Sequence, residues 1–534
     1  MISSSRVAFS LVILSAAIAV FSKLPKNPLP KKKKPSSQCI VKEEPSSQCI
    51  VKEEQSSQCI VKKEPSSQCS VENKDMISEL PDDILILIIS YMPVKCGIRT
   101  SILSNRWKNL YRYLSNVKLN CGDLLSRHLL EARSDHNSSL IVYSLNRFLK
   151  LRSGSEILSF RLSCCLSRYQ FIDLISSLGG LGVRTLDLIC LSHCSTNTCF
   201  FPFEFLSEIP SLRYFRLSSC ILQQPTLESE FRFNSIQILS LSYVVVCDGA
   251  VEFILSNCLS LHSLRIVNCD CPSKLCFSGP GLRLKSLYIF GCGDLEEIEF
   301  YADNLVLFEF FNHVLVNFVF KHAPRLESVF LDVFNENVTP FVFGKLAKDL
   351  PNLKSLTFTK DHYFKGSIES METDMFSKLR RLNLSLISGP RIDLFTLIPF
   401  LKNCPLLEEF ILNINFLENE GPEEKMQAVT LHSELKKVEI SGFVGAENEI
   451  EFALYILKSA VGLEKLVISK CLSIYMGTIN CRTRSENRWS EETHEMICRR
   501  LKGQAISETA QVITQYAAHF QDKWVVEDDV KVFL

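Results

Sequence analysis

The chain has no excess charge of either sign: 59 Lys and Arg face 59 Asp and Glu among 534 residues. A protein whose main partner is nucleic acid carries a surplus of positive charge, so no nucleic-acid partner is expected. Glycine and proline are scarce, 20 of each, which excludes collagen-like and Pro-rich fibres. Catalytic signatures are missing too. There is no P-loop, no dinucleotide-binding glycine pattern, no HExxH and no GxSxG. The expectation is therefore a chain that is not an enzyme and takes no cofactor. A membrane-spanning helix needs about 20 apolar residues. The stretch 7–21 (VAFSLVILSAAIAVF) falls short of that length.

What is present is ordinary for a folded protein, with 46% hydrophobic and 22% charged residues. The length fits two to four domains or one long repeat array. Cysteine is abundant, at 22. A chain of this size does not need disulfide staples, so these are read as reduced and mostly buried thiols.

The first 74 residues stand apart. Residues 1–35 join the apolar stretch 7–21 to a lysine-rich run that ends at Lys34. Positive charge after the stretch would keep the rest of the chain on the cytosolic side. A cytosol-facing membrane anchor through residues 7–21 is one reading; a cleaved secretion signal and an N-terminal extension without function are the others. Lys31–Lys34 also resembles a nuclear import signal. Residues 36–74 hold four polar, Pro-broken decads beginning SSQC. Units this short cannot bury a core, so a disordered linker is expected. Around Lys42, Lys52 and Lys62 the decads read Val-Lys-x-Glu. That resembles the acceptor site for the ubiquitin-like modifier SUMO. The decad cysteines Cys39, Cys49, Cys59 and Cys69 have neither the spacing nor the histidines of a zinc site.

Residues 75–120 read as a short helical module. Pro81 suits a first helical turn, and Asp82 and Asp83 complement its positive end. Ile84 to Ile89 are apolar without a break, and Pro93 stops the helix. A helix apolar around its whole circumference must be covered on two sides. About 45 residues are too few to cover both, which implies a partner protein on one of them. A second helix can run through Ile98, Ile102 and Leu103. Arg106 and Trp107 follow, residue types enriched at interface hot spots.

This segment resembles the F-box of plant F-box proteins: Leu80-Pro81-Asp82, the run Ile84–Ile89, Met92-Pro93-Val94-Lys95, then Ser101-Ile102-Leu103-Ser104 and Arg106-Trp107. The resemblance implies docking to the Skp adaptor, and through it to the cullin, of an SCF ubiquitin ligase. It implies that Leu80, Pro81, Ile84, Leu85, Ile88, Leu103, Arg106 and Trp107 form that contact. Cys96-Gly97-Ile98 departs from the family pattern, where a small-to-branched apolar pair is more usual; Gly97 lowers helix propensity by up to about 1 kcal/mol.

From Ile157 onward an apolar-x-x-apolar-x-apolar unit recurs at intervals of 21 to 29 residues. Examples are Leu212-x-x-Phe215-x-Leu217, Leu261-x-x-Leu264-x-Ile266 and Leu353-x-x-Leu356-x-Phe358. Each is a short strand with two inward residues, and a single unit buries its face only by stacking on the next. The fold class is thus α/β: a small N-terminal helical F-box, then an irregular leucine-rich-repeat solenoid. Its parallel strands line the concave face, with helices or irregular turns outside. Residues 121–156 are expected to cap the solenoid and 157–434 to form the repeats. Residues 435–515 are similar to the FBD domain that follows the repeats in many plant F-box proteins. Residues 516–534 are unassigned. Cys220, Cys269 and Cys292 occupy the turn position where the repeat uses Asn or Cys. Cys269, Cys271 and Cys276 are close in sequence, but no His follows at ligand spacing, and no metal site is expected.

In each unit the residue between the second and third apolar positions should face the concave side. Arg216, Arg265 and Tyr288 stand there, and Arg and aromatic side chains make good anchors. They are the expected contacts to an unidentified target protein. The resulting expectation is a substrate-recognition subunit of an SCF-type ligase in the cytoplasm or nucleus. The alternative is a membrane-tethered repeat scaffold that transfers no ubiquitin.

Overall fold

The computed structural model describes residues 79–124, 136–152, 156–191, 199–224, 233–279, 281–333, 338–361, 375–387, 394–415, 431–471 and 489–515. It also describes Ile77 and the short strands Ile474–Met476 and Ile479–Cys481. Residues 1–76 and 516–534, which carry the decads and Lys42, Lys52 and Lys62, lie outside the described residues.

Helix α1 (Asp82–Ser90) starts after Pro81 with two acidic residues in its first turn, and α2 (Val94–Arg99) starts after Pro93. Pro fits both starts because the first turn has no use for its missing N–H. A short 3-10 turn (Thr100–Ile102) and a longer one (Trp107–Tyr113) complete the hairpin. Gly97 is buried where α2 crosses α1. A Cβ there would lie 2.7 Å from Cγ2 of Ile89. The glycine that departs from the family pattern is what lets the two helices meet this closely.

Among the described residues, fifteen strands form one sheet in chain order, from Asn116–Asn120 to Gln511–Gln515. Every neighbouring pair in it is parallel, as at Phe215↔Leu239, Leu264↔Leu287 and Leu382↔Phe410. The inward residues of the apolar units, among them Leu212, Phe215, Leu217, Leu353, Leu356 and Phe358, are fully buried. Each such side chain contributes about 1.5–3 kcal/mol, so stacking rather than any single repeat holds the array together. The sheet crosses the segment borders drawn from sequence. Its first strand lies within 75–120, and residues 435–515 supply Lys437–Ser441, Lys465–Ser469 and the last strand.

Repeat length decides what sits on the other side of the core. Repeats of 25 to 28 residues starting at Ile236 and Leu435 carry the helices Ala250–Asn257 and Glu447–Ser459. From Leu261 to Leu326 the starts are only 21 to 23 residues apart. There the chain has no room for a helix and two turns. It forms a second parallel sheet of Lys274–Phe277, Glu297–Tyr301 and Asn317–His322 instead of the expected helices or irregular turns. Phenylalanines fill the space between the two sheets. The rings of Phe300 and Phe308, and of Phe310 and Phe318, have centroids 5.0 Å apart in edge-to-face geometry.

At the exit of strand Lys437–Ser441 the chain turns through Gly442 with φ +76°. A Cβ there would lie 1.8 Å from the carbonyl oxygen of Ile414. Only glycine fits that turn.

None of the described cysteines is in a disulfide. Burial pushes the thiols of Cys258, Cys269 and Cys404 up to about 12. At neutral pH they are inert small apolar groups. No group of His, Cys, Asp or Glu among the described residues could hold a metal ion.

The expectation of a membrane-tethered protein is overturned. No helix among the described residues is long and apolar enough to cross a membrane. Residues 7–21, on which that expectation was placed, lie outside the described residues.

Candidate functional site: a helical docking face and an outward row of the sheet

Helix α1 sorts its unbroken apolar run by turn. Leu85 and Ile89, four residues apart, are buried against Trp107 and Leu110. Ile84, Leu87 and Tyr91 lie on the opposite side and are exposed, Tyr91 to 84%. Spacings of three and four residues put these three on one face. Ile98, Ile102 and Leu103, on the second helix and at its 3-10 turn, are exposed as well, Ile102 at 87% and Leu103 at 64%.

The eight residues assigned to the adaptor contact by resemblance divide accordingly. Pro81, Ile84, Leu103 and Arg106 are exposed, and Leu80 and Ile88 are half-buried. Leu85 and Trp107 sit in the chain's own core, Trp107 with only 4% of its surface exposed. Arg106 closes the hairpin. Its Nε donates to Oδ1 of Asp82 at 2.7 Å, and its guanidinium also donates to the Leu80 carbonyl. The Leu-Pro-Asp and Arg-Trp motifs therefore meet each other in space. Leu87, Tyr91, Ile98 and Ile102 are further exposed apolar residues of these helices that the resemblance did not single out. Helical phase groups 84, 87 and 91 on one face and 85 and 89 on the other, but does not say which of the two faces inward.

The hairpin is fastened to the array by Arg152, which is 1% exposed. Its Nη1 donates to the Tyr111 carbonyl at 3.3 Å and its Nη2 to the Leu114 carbonyl. The guanidinium carbon stands 5.7 Å from the Phe148 ring centroid. Burial pulls its pKa down to about 10, so it stays charged at neutral pH.

On the face of the sheet turned away from the core, the residues singled out in each repeat form one register row. Lys118, Arg161, Asp187, Arg216, Ser240, Arg265, Tyr288, Glu309 and Phe330 are successive partners. Arg161 Nε pairs with Asp187 Oδ2 at 2.5 Å. Arg216 and Arg265 are partly exposed and stand two strands apart. Tyr288 is only 4% exposed, and the Arg265 guanidinium stands 5.0 Å from its ring centroid. The ring serves as a platform that orients Arg265. Burial, then the nearby Glu309, raises the pKa of Tyr288, so its hydroxyl stays protonated.

Comparisons with known proteins agree with this arrangement. A family model described as "At1g61320/AtMIF1, LRR domain" matches residues 180–531, and an F-box domain model matches residues 77–115. The F-box/FBD/LRR-repeat protein At1g13780 of Arabidopsis thaliana is 28% identical over 455 residues, covering 74% of this chain and 91% of that protein. The F-box/FBD/LRR-repeat protein At1g78750 of Arabidopsis thaliana is 26% identical over 431 residues, with 74% and 89% covered. The FBD-associated F-box protein At4g10400 of Arabidopsis thaliana is 26% identical over 414 residues, with 74% and 92% covered.

Proposed function

We infer the function from one premise: this chain belongs to the plant F-box/leucine-rich-repeat family whose members carry an FBD region. The proposal is that it serves as the substrate-recognition subunit of an SCF-type ubiquitin ligase. The module at 75–120 docks the Skp adaptor and, through it, the cullin. The outward row of the array holds the target protein. Ubiquitin transfer belongs to the recruited ligase, and the chain contributes binding alone.

The observation that carries this reading is the stripe of Ile84, Leu87 and Tyr91 together with Ile98, Ile102 and Leu103. Those side chains are exposed while the opposite face of the same helices is buried. Several large apolar side chains exposed on one small helical module are what a partner protein covers. Pro81 and Arg106 are also exposed on the same module, and Arg106 would supply a polar contact beside the apolar side chains. Work in the cytoplasm or nucleus agrees with the lack of a disulfide among the described cysteines. Lys42, Lys52 and Lys62 remain proposed acceptor sites for the ubiquitin-like modifier, on the Val-Lys-x-Glu pattern alone. Loss of a modified band on changing all three to Arg would support them.

The test is co-expression of the full chain with a plant Skp adaptor. The natural chain should co-elute with the adaptor. The triple variant Ile84→Asp, Leu87→Asp, Ile102→Asp should not, while melting at the natural temperature. Failure of the natural chain to capture the adaptor, or undiminished capture by the folded triple variant, would defeat the reading.

A further inference from the structure

We propose that Cys121 and Cys164 are a modification site: a hydroperoxide oxidises the two thiols to a disulfide that ties the first strand of the sheet to the second. The inference stands apart from the substrate-receptor reading, because it needs neither the adaptor nor a target.

The pair lies where the docking hairpin meets the array. Strand Asn116–Asn120 runs parallel to Ser159–Cys164 in the register Asn120↔Ser163. Cys121 and Cys164 are the next residue on each chain, so they sit side by side at the end of these strands. Neighbouring strands lie about 4.8 Å apart, within the Cα separation of roughly 4.4–6.8 Å that a disulfide spans. The two thiols are hydrogen-bonded to each other, and Cys121 Sγ lies 3.6 Å from the Ser163 carbonyl oxygen. The turn that carries Cys121 is fixed. The backbone N–H of Asn120 donates to Asp123 Oδ2 and that of Asp123 to Asn120 Oδ1, at 3.1 Å each. Lys95 of α2 donates to the Gly122 carbonyl at 2.9 Å, so the hairpin rests on this same turn. The other thiols close by are engaged elsewhere. Cys165 Sγ donates to the Leu191 carbonyl, and Cys190 is hydrogen-bonded to Cys199 and Cys220.

Environment gives the two sulfurs different parts. Cys121 is half-buried, open enough to meet a small oxidant, whereas Cys164 is 2% exposed. The Cys164 thiol donates to Cys121 and holds its pKa down to about 6; burial opposes this, and the backbone N–H groups of Cys165 and Cys121 assist. Cys121 is therefore a thiolate at neutral pH, the form that attacks peroxides. The Cys121 neighbour, then burial, push the Cys164 thiol far up, so it keeps its proton. The Cys121 thiolate attacks the terminal oxygen of the hydroperoxide, and the O–O bond breaks. The remaining oxygen leaves with the electron pair and takes a proton from solvent, as an alcohol or water. Cys121 is now a sulfenic acid, its sulfur oxidised by two electrons and the peroxide reduced by two. With the thiolate charge gone, the main restraint on ionising Cys164 is gone as well. Its sulfur attacks Cys121, the S–O bond breaks, and hydroxide leaves with the Cys164 proton as water.

The test exposes the reduced full chain to hydrogen peroxide at neutral pH and maps its cysteines by mass spectrometry. The peptides of Cys121 and Cys164 should appear cross-linked, while Cys258 and Cys404 stay reduced. A reducing thiol should restore both. Cys165→Ser should keep the cross-link, which assigns it to Cys164 rather than to its neighbour. Cys164→Ala should stop the reaction at a Cys121 sulfenic acid that dimedone traps. Cys121→Ser, at a half-buried position, keeps the test open should Cys164→Ala loosen the sheet: it should leave Cys164 reduced. Alkylation of Cys121 by iodoacetamide should reach half its maximal rate near pH 6 in the natural chain, and Cys164→Ala, lacking the donor, should move that midpoint upward. Amide hydrogen exchange across residues 116–120 should slow by roughly tenfold once the bond has formed. Oxidation that spares Cys121, a Cys121 sulfenic acid that never links to Cys164 in the natural chain, or a cross-link that leaves exchange at residues 116–120 unchanged would overturn the proposal.

Discussion

Arg106 reaches back across the hairpin to Asp82, with 2.7 Å between Nε and Oδ1. Twenty-four residues separate the two in sequence, and both belong to motifs that resemblance would place at the adaptor surface. Their first role is internal: together with the Leu80 carbonyl they tie the end of the hairpin to its beginning. Both side chains are well exposed, so the pair is a modest contributor. A double-mutant cycle of Asp82→Ala and Arg106→Ala should give a coupling of about 0.2–1 kcal/mol that shrinks with salt. A coupling of several kcal/mol in denaturant melts would mean the pair is more shielded than its exposure indicates.

Trp107 and Ile102 should separate stability from binding. Trp107 fills the space beneath α1, so Trp107→Ala should cost about 3–5 kcal/mol and loosen the hairpin. Ile102 is nearly fully exposed, so Ile102→Ala should stay within about 0.5 kcal/mol of the natural chain. Chemical denaturation measures the first effect, and adaptor affinity the second. Adaptor binding should weaken in both variants, with an accompanying loss of stability only at Trp107. If Ile102→Ala binds the adaptor normally, the exposed stripe is not the docking face.

These cases show why part of the site was legible and part was not. Period-2 alternation puts Arg216, Arg265 and Tyr288 on one face, and the register row agrees. Alternation carries no information about depth, and so it could not say that Arg265 lies over Tyr288. In α1 every position from Ile84 to Ile89 is apolar, so composition alone cannot choose the inward side. The choice comes from Trp107 and Leu110, which pack from the far end of the hairpin. The first strand escaped notice although Leu114, Val117 and Leu119 repeat the apolar spacing and are all buried. It follows the F-box directly, and the array begins one strand earlier than the regular repeats suggest.

Asp332 gives the array a pH dependence. It is buried beside Thr359 on the outward face, and among the described residues its Oδ1 finds no hydrogen-bond partner. Burial raises its pKa from 3.8 to about 6, partly opposed by the hydrogen bond with Thr359. The folded chain therefore keeps this proton at pH values where the unfolded chain has released it. Stability should fall as pH rises from about 4 to about 6 and then level off. That rise corresponds to at most about 3 kcal/mol. Asp332→Asn cannot ionise, so it should remove this slope and be more stable than the natural chain at pH 7.5. Melting curves at pH 5 and 7.5 check it; a variant that is less stable at both values would show that the carboxylate is better solvated than its burial implies.

Arg152 decides whether the hairpin and the array move as one. It is the buried donor to the carbonyls of Tyr111 and Leu114, at the end of the 3-10 turn that carries Trp107. Arg152→Ala would leave both carbonyls without this donor and remove the packing on Phe148, a loss of about 3 kcal/mol. The damage should be local, because strands Ser263–Val267 to Ser328–Val333 rest on their own phenylalanine core. Amide hydrogen exchange should accelerate across residues 107–120 and stay unchanged across 263–333. An adaptor held on a loosened hairpin would no longer present a target on the array at a fixed distance. The variant should therefore still capture the adaptor while ubiquitinating a bound target more slowly. Unchanged exchange at residues 107–120 would place the fastening elsewhere in the seam.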